Sequence, residues 1–213
     1  MSRRIITSLF LLAFIPFYSI SAQSKDALST KELPLGIQYS ETRIKPITHI
    51  VIHSISNIES KPDSPFNIVD IYFLLAEYGV STHYVIGREG DIYQFVSDNR
   101  VAYHAGRNSL PNLPFFDHDM NEYSIGIELM GIGTKDELVP SISEEIYNNL
   151  DPSFIGFTED QYNSLSLLLD TLHNRYPTIP KDRYHVIGHD DYAPKRKVDP
   201  GKLFNWRKLG YEK

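Results

Sequence analysis

Thr48-His49-Ile50-Val51-Ile52-His53 is the stretch that decides how this chain folds. Its apolar, β-branched centre reads as a strand buried on both faces, the kind found in a sheet covered by helices. The run ends on an imidazole, His53, at the end of the strand where such sheets collect their sites. Downstream, residues 54–65 form a polar loop with two prolines. Asn67 then predicts a helix cap, with Ile68, Ile71, Tyr72 and Leu75 on one face and Gly79 as the stop. Thr82-His83-Tyr84-Val85-Ile86 and Ile92-Tyr93-Gln94-Phe95-Val96 flank Arg88-Glu89-Gly90-Asp91, which predicts a hairpin.

Tyr103-His104-Ala105-Gly106 reads as a short strand entering a loop, and Ser124-Ile125-Gly126-Ile127-Glu128-Leu129-Met130 as a further strand. Residues 131–157 form a long connection, acidic from Asp136 onward, of a length expected to be functional or mobile. Thr158 opens a helix with Gln161 in capping-box position, its face carrying Leu165, Leu168, Leu169 and Leu172, and Pro177 ends it. Residues 184–187 are a last short strand, and residues 202–209 a terminal helical turn with Phe204 and Trp206 packing inward. Strands alternating with helices predict a mixed α/β domain, a central mixed β-sheet flanked by helices.

At the other end, Arg3 and Arg4 precede an apolar run to about Ile20, followed by Ser21 and Ala22. That order predicts a signal peptide over residues 1–22, and hence an exported protein, periplasmic or secreted. The run is interrupted by Pro16 and is short beside the roughly 20 apolar residues of a bilayer span, so no stable membrane insertion is expected after cleavage. Residues 23–45 are polar and patternless and read as a leader over the surface. The formal charge of −6 argues against nucleic acid as a partner, which is bound by neutralising phosphates. The chain has no cysteine, so it gains no disulfides and any zinc site must use histidine and carboxylate.

One segment concentrates chemistry. His189-Asp190-Asp191-Tyr192-Ala193-Pro194-Lys195-Arg196-Lys197-Val198-Asp199-Pro200-Gly201 sets an ammonium and a carboxylate eight and ten residues after an imidazole. Two histidines and one aspartate suffice for a catalytic zinc, which keeps its fourth position open for water. His53, His189 and Asp199 are therefore the candidate ligands, with Asp190 and Asp191 competing for the carboxylate place or serving as helix caps. Glu128 interrupts an apolar strand, where a lone acid needs either a partner or a wet sheet edge. A carboxylate beside a metal can carry a proton from water to a leaving amine. Lys197 either aims its ammonium at a developing oxyanion or is one solvated member of the trio Lys195-Arg196-Lys197. His83 reads as a hydrogen-bonded core residue. Tyr103, His104 and Asn108 are candidates for lining a substrate groove.

These blocks together resemble the zinc-dependent N-acetylmuramoyl-L-alanine amidases of the amidase-2 family, relatives of phage amidase lysozymes and peptidoglycan recognition proteins. The resemblance runs from about residue 45 to 207 and rests on five blocks in family order. They are Ile50-Val51-Ile52-His53, Thr82 to Ile86 with Gly90, Tyr103-His104-Ala105-Gly106, Asn121 with Ser124 to Leu129, and Gly188-His189 through Asp199-Pro200-Gly201. It implies a single catalytic domain over residues 46–213 holding one zinc ion on His53, His189 and Asp199. It also implies Glu128 as acid/base and Lys197 as oxyanion stabiliser. A tyrosine that assists catalysis in other branches is replaced here by Thr82, which leaves that role to Glu128. The implied reaction hydrolyses the amide between the lactyl group of N-acetylmuramic acid and the L-alanine of the stem peptide. Peptidoglycan or muropeptide is the implied partner, and a monomer is expected. The rivals are a non-catalytic peptidoglycan-binding module on the same fold and a zinc peptidase cutting within the stem.

Overall fold

A computed structural model describes residues 28–106, 120–139 and 141–211. The signal segment 1–22, Asn108 and His118 lie outside the described residues. In chain order the elements begin with β1 (Thr30–Glu32), β2 (Ser40–Thr42), β3 (His49–Ile55) and α1 (Ile68–Glu77). Next come β4 (Tyr84–Ile86), β5 (Ile92–Gln94), β6 (Arg100–Ala102), α2 (Met120–Tyr123) and β7 (Ser124–Met130). The chain then forms α3 (Lys135–Leu138), α4 (Glu144–Asn148), α5 (Glu159–Arg175), β8 (Val186–Gly188) and α6 (His189–Tyr192). Six strands make the main sheet in the order β1-β5-β4-β7-β3-β8, and β2 pairs with β6 in a small second one. Within the main sheet only β4 and β5, the predicted hairpin, are antiparallel. Gly90 takes φ +82° in their connection, a conformation that side chains resist.

The two central strands sort their residues by the period of two that a pleated backbone imposes. Along β7, Ile125, Ile127 and Leu129 join Ile50 and Ile52 of β3 in one core against Leu165, Leu168, Leu169 and Leu172 of α5. Each of those leucines is almost wholly buried, a contribution of about 1.5–3 kcal/mol apiece. The opposite residues, Ser124, Gly126 and Glu128 of β7 with Val51 and His53 of β3, face the other side of the sheet, where α1 and α6 pack. α5 starts as predicted: Thr158 Oγ1 accepts from the Gln161 N–H at 3.1 Å, and Gln161 Oε1 accepts from the Thr158 N–H at 3.0 Å. α1 is capped by Asn67, whose side chain accepts from the Val69 and Asp70 N–H groups.

Three expectations change. The first strand runs to Ile55, so His53 lies within it and not at its end. Its neighbour β7 pairs with Ser54 and Ile55, a partner that the turn-like Ser54 conceals in the sequence. Residues 30–45 are no surface leader: β1 extends the sheet beside β5, β2 pairs with β6, and Arg43 reaches inward. The Arg43 guanidinium donates to the carbonyls of Asp98, Arg100, Glu122 and Ser124, stapling this segment to the start of β7. The 131–157 connection is also built rather than loose. Ile132, Ile142 and Leu150 form a small core with Ile58, and Arg88 donates to the carbonyls of Ser153 and Gly156.

Candidate metal centre

Three elements deliver three acceptors to one point. His53 comes from the middle of β3, His189 opens α6 directly after β8, and Asp199 lies on the loop that follows. The Asp199 carbonyl accepts from the Asp190 N–H at 2.8 Å, which ties that loop to the first turn of α6. His53 Nδ1, His189 Nδ1 and Asp199 Oδ2 are mutually 3.0–3.1 Å apart. Both rings are buried, and the aspartate side chain retains 18% exposure. His189 Nε2 lies 3.0 Å from the Ala105 carbonyl. A carbonyl only accepts, so that nitrogen carries the ring's proton and Nδ1 presents its lone pair. Burial, ahead of all other causes, holds His53 down to about 4, so its ring is neutral.

Two ring nitrogens and a carboxylate oxygen crowded this closely repel unless a proton or a cation lies among them. Tetrahedral zinc with bonds of about 2.0–2.1 Å spaces its ligand atoms by about 3.3 Å, close to the separations seen here. The donor set, two imidazoles and one carboxylate, also suits a borderline divalent metal. These three residues can therefore hold a metal ion, and they are the only such group among the described residues.

Glu128 sits beside them because β3 and β7 run parallel with His53 opposite Glu128. β7 lies between β4 and β3, so the wet-edge alternative for this acid is excluded. It is 8% exposed, and its Oε2 has no hydrogen-bond partner among the described residues. Burial first, and the nearby Asp199 second, push its pKa well up, with Lys197 opposing. Lys197 is half-buried where Lys195 and Arg196 are exposed, which separates it from the solvated trio. Arg196 instead donates to the Ala105 carbonyl. His53, His189, Asp199, Glu128, Lys197 and Tyr103 all line one cleft of about 230 Å³. A wider groove of about 850 Å³, with Phe204 and Trp206 in its wall, opens on the other side of Lys197.

Asp191 accepts from the Gly188 N–H and pairs with Arg183 at 2.6 Å, capping α6. Asp190, buried and next to Asp191, is pushed up to about 6. His83 is a core residue: its Nδ1 accepts from the Gly126 N–H, and its Nε2 lies 3.1 Å from the Arg100 carbonyl. His104 is 9% exposed, packs ring edge to ring face against His53, and also lines the cleft. Ser124, Gly126 and Asn121 surround it, and none of them carries a sequence signal of its own beyond the block they share.

The family model for N-acetylmuramoyl-L-alanine amidase matches residues 43–202, and the chain belongs to this family. Among individual relatives, the 1,6-anhydro-N-acetylmuramyl-L-alanine amidase AmpD of Haemophilus influenzae is 37% identical over 129 residues. That alignment covers 61% of this chain and 56% of the relative, so the chain spans little more than half the length of the curated proteins it matches. A crystal structure of a selenomethionine AmpD derivative superposes with a TM-score of 0.61 at 26% identity, covering 85% of this chain and 92% of that one. The amidase AmiD from E. coli, solved with anhydro-N-acetylmuramic acid-L-Ala-D-γ-Glu-L-Lys, gives 0.56 at 27% identity over 77% of this chain and 56% of its own. Both support the mixed α/β architecture with its largely parallel sheet.

Proposed function

We propose that this protein is a zinc-dependent N-acetylmuramoyl-L-alanine amidase. Its substrate bond is the amide between the lactyl group of N-acetylmuramic acid and the L-alanine of a peptidoglycan stem peptide. The observation that carries this reading is the convergence of His53, His189 and Asp199 within 3.1 Å, with Glu128 in register beside His53. Membership of the family and the muropeptide bound in a related structure supply the substrate class.

His53, His189 and Asp199 would hold the zinc, which supplies a Lewis acid and lowers the pKa of water to about 7. Glu128 takes a proton from the attacking water as its oxygen bonds to the lactyl carbonyl carbon. The same carboxyl then gives that proton to the alanine nitrogen as the C–N bond breaks, so one side chain balances the proton inventory. Lys197 donates to the carbonyl oxygen as negative charge gathers there. Tyr103, on the wall of the cleft, contacts the glycan or peptide, as would Asn108. Thr82 is fully buried and is not among the residues lining the cleft, so the proton-carrying role is left to Glu128.

Digestion of purified peptidoglycan and soluble muropeptides is expected to free intact stem peptides beginning with L-alanine, and chelator is expected to abolish the release. Mass spectrometry separates the rivals: a stem peptidase leaves alanine on the sugar, and a binding module releases nothing. We further infer export, on the strength of Arg3, Arg4 and the apolar run that follows them. Among the described residues no helix is long and apolar enough to cross a membrane. Protein recovered from the producing cell should begin near residue 22 or 23 by N-terminal sequencing; recovery of an uncleaved cytoplasmic chain would defeat the inference.

A further inference from the structure

Building on the metal reading above, we propose that His104 and Ser124 are positioning residues. They form a relay that fixes the tautomer of His53, so that its Nδ1 offers a lone pair to the metal. The relay is read from the end where the proton assignment is forced. Ser124 Oγ lies 2.5 Å from the Met120 carbonyl, and a carbonyl can only accept, so the hydroxyl's single proton is committed there. Ser124 Oγ therefore acts as acceptor toward His104 Nε2, 3.2 Å away. With its proton on Nε2, His104 presents the lone pair of Nδ1, which lies 3.1 Å from His53 Nε2. His53 must then carry its proton on Nε2, which frees Nδ1 to face His189 Nδ1 and Asp199 Oδ2. The opposite assignment, with a proton on His104 Nδ1, would place the His53 proton on Nδ1. There it would occupy the very position a cation needs.

The surroundings hold His104 to this task. Asn121 Oδ1 accepts from the backbone N–H groups of both His104 and Ala105, at 3.0 and 2.7 Å. Gly126 leaves room for the ring, since a Cβ at that position would lie 2.5 Å from His104 Cγ. One face of β7 thus supplies an anchor at Ser124, a space at Gly126 and a carboxylate at Glu128. Metal-bound histidines almost always donate their second N–H to an outer acceptor, and losing that acceptor costs about 10–100-fold in metal affinity. Here the acceptor is another imidazole, itself oriented by a serine.

The test measures zinc dissociation constants by chelator competition on the full chain and on His104→Leu, His104→Asn and Ser124→Ala. Melting curves of the metal-free forms identify any variant that fails to fold. His104→Leu is expected to bind zinc about 10–100-fold more weakly. His104→Asn, whose amide oxygen occupies the place of Nδ1, should recover most of that loss. Ser124→Ala should weaken binding when His104 is present and have no effect in the His104→Asn background. Nitrogen-15 NMR of histidine-labelled, metal-free protein should find the His53 proton on Nε2. A folded His104→Leu variant binding zinc as tightly as the unaltered chain would overturn the relay, as would a His53 proton on Nδ1. If the unaltered chain itself binds no zinc, the metal reading fails first and the relay with it.

Discussion

Replacing Asp199 with alanine is expected to abolish zinc binding and amide hydrolysis together. Two imidazoles remain in that variant, one short of the three protein ligands that a catalytic zinc uses. The loss should exceed about 10³-fold in kcat/KM, or roughly 4 kcal/mol of barrier, because both Lewis-acid activation and water ionisation go with the ion. The fold should survive. Among the described residues the Asp199 side chain bonds only His53 and His189, while the loop is held by its backbone carbonyl on the Asp190 N–H. Metal analysis and turnover of a soluble muropeptide check both halves. Zinc retained in equimolar amount with undiminished turnover would remove Asp199 from the ligand set.

Glu128→Ala is expected to part these two losses. Zinc affinity should stay near that of the unaltered chain, because Glu128 is not one of the three converging acceptors. Turnover should fall by about 10²–10⁴-fold, the usual worth of a positioned proton carrier. A third readout is stability. A buried carboxyl whose Oε2 finds no partner among the described residues is a cost to the folded state, so the metal-free variant should melt no lower than the unaltered chain. Turnover that survives the substitution would transfer the proton to another group. A melt well below that of the unaltered chain would instead make Glu128 a structural residue.

The parts of this fold that the sequence made legible are those with long, strongly patterned runs. β7 occupies the seven residues expected of it, and α5 begins at its predicted capping box, because alternation and capping are local signals. Asp199, His189 and His53 were legible for a different reason: singly each had ordinary readings, but together, in blocks that resemble a known family, they make up a zinc ligand set. What escaped was held by long-range contacts. β1 and β2 are three residues each, too short to show any period, and they exist only because β5 and β6 offer edges to pair with. Arg43 looked like one more polar residue in a polar stretch, yet five carbonyls from distant segments meet on its guanidinium. His104 looked open because a loop follows it. Its burial comes from Gly126 and Ser124, residues some twenty positions away whose small size gives no hint of what they accommodate.

Glu137 has a consequence for the 131–157 connection. One of its oxygens accepts from the Thr134 N–H and hydroxyl, and the other accepts from the Lys202 N–H, three residues beyond Asp199. A single carboxylate thus clasps this connection to the segment that carries Asp199. Trimming the connection to simplify the protein would loosen the reactive centre from a distance.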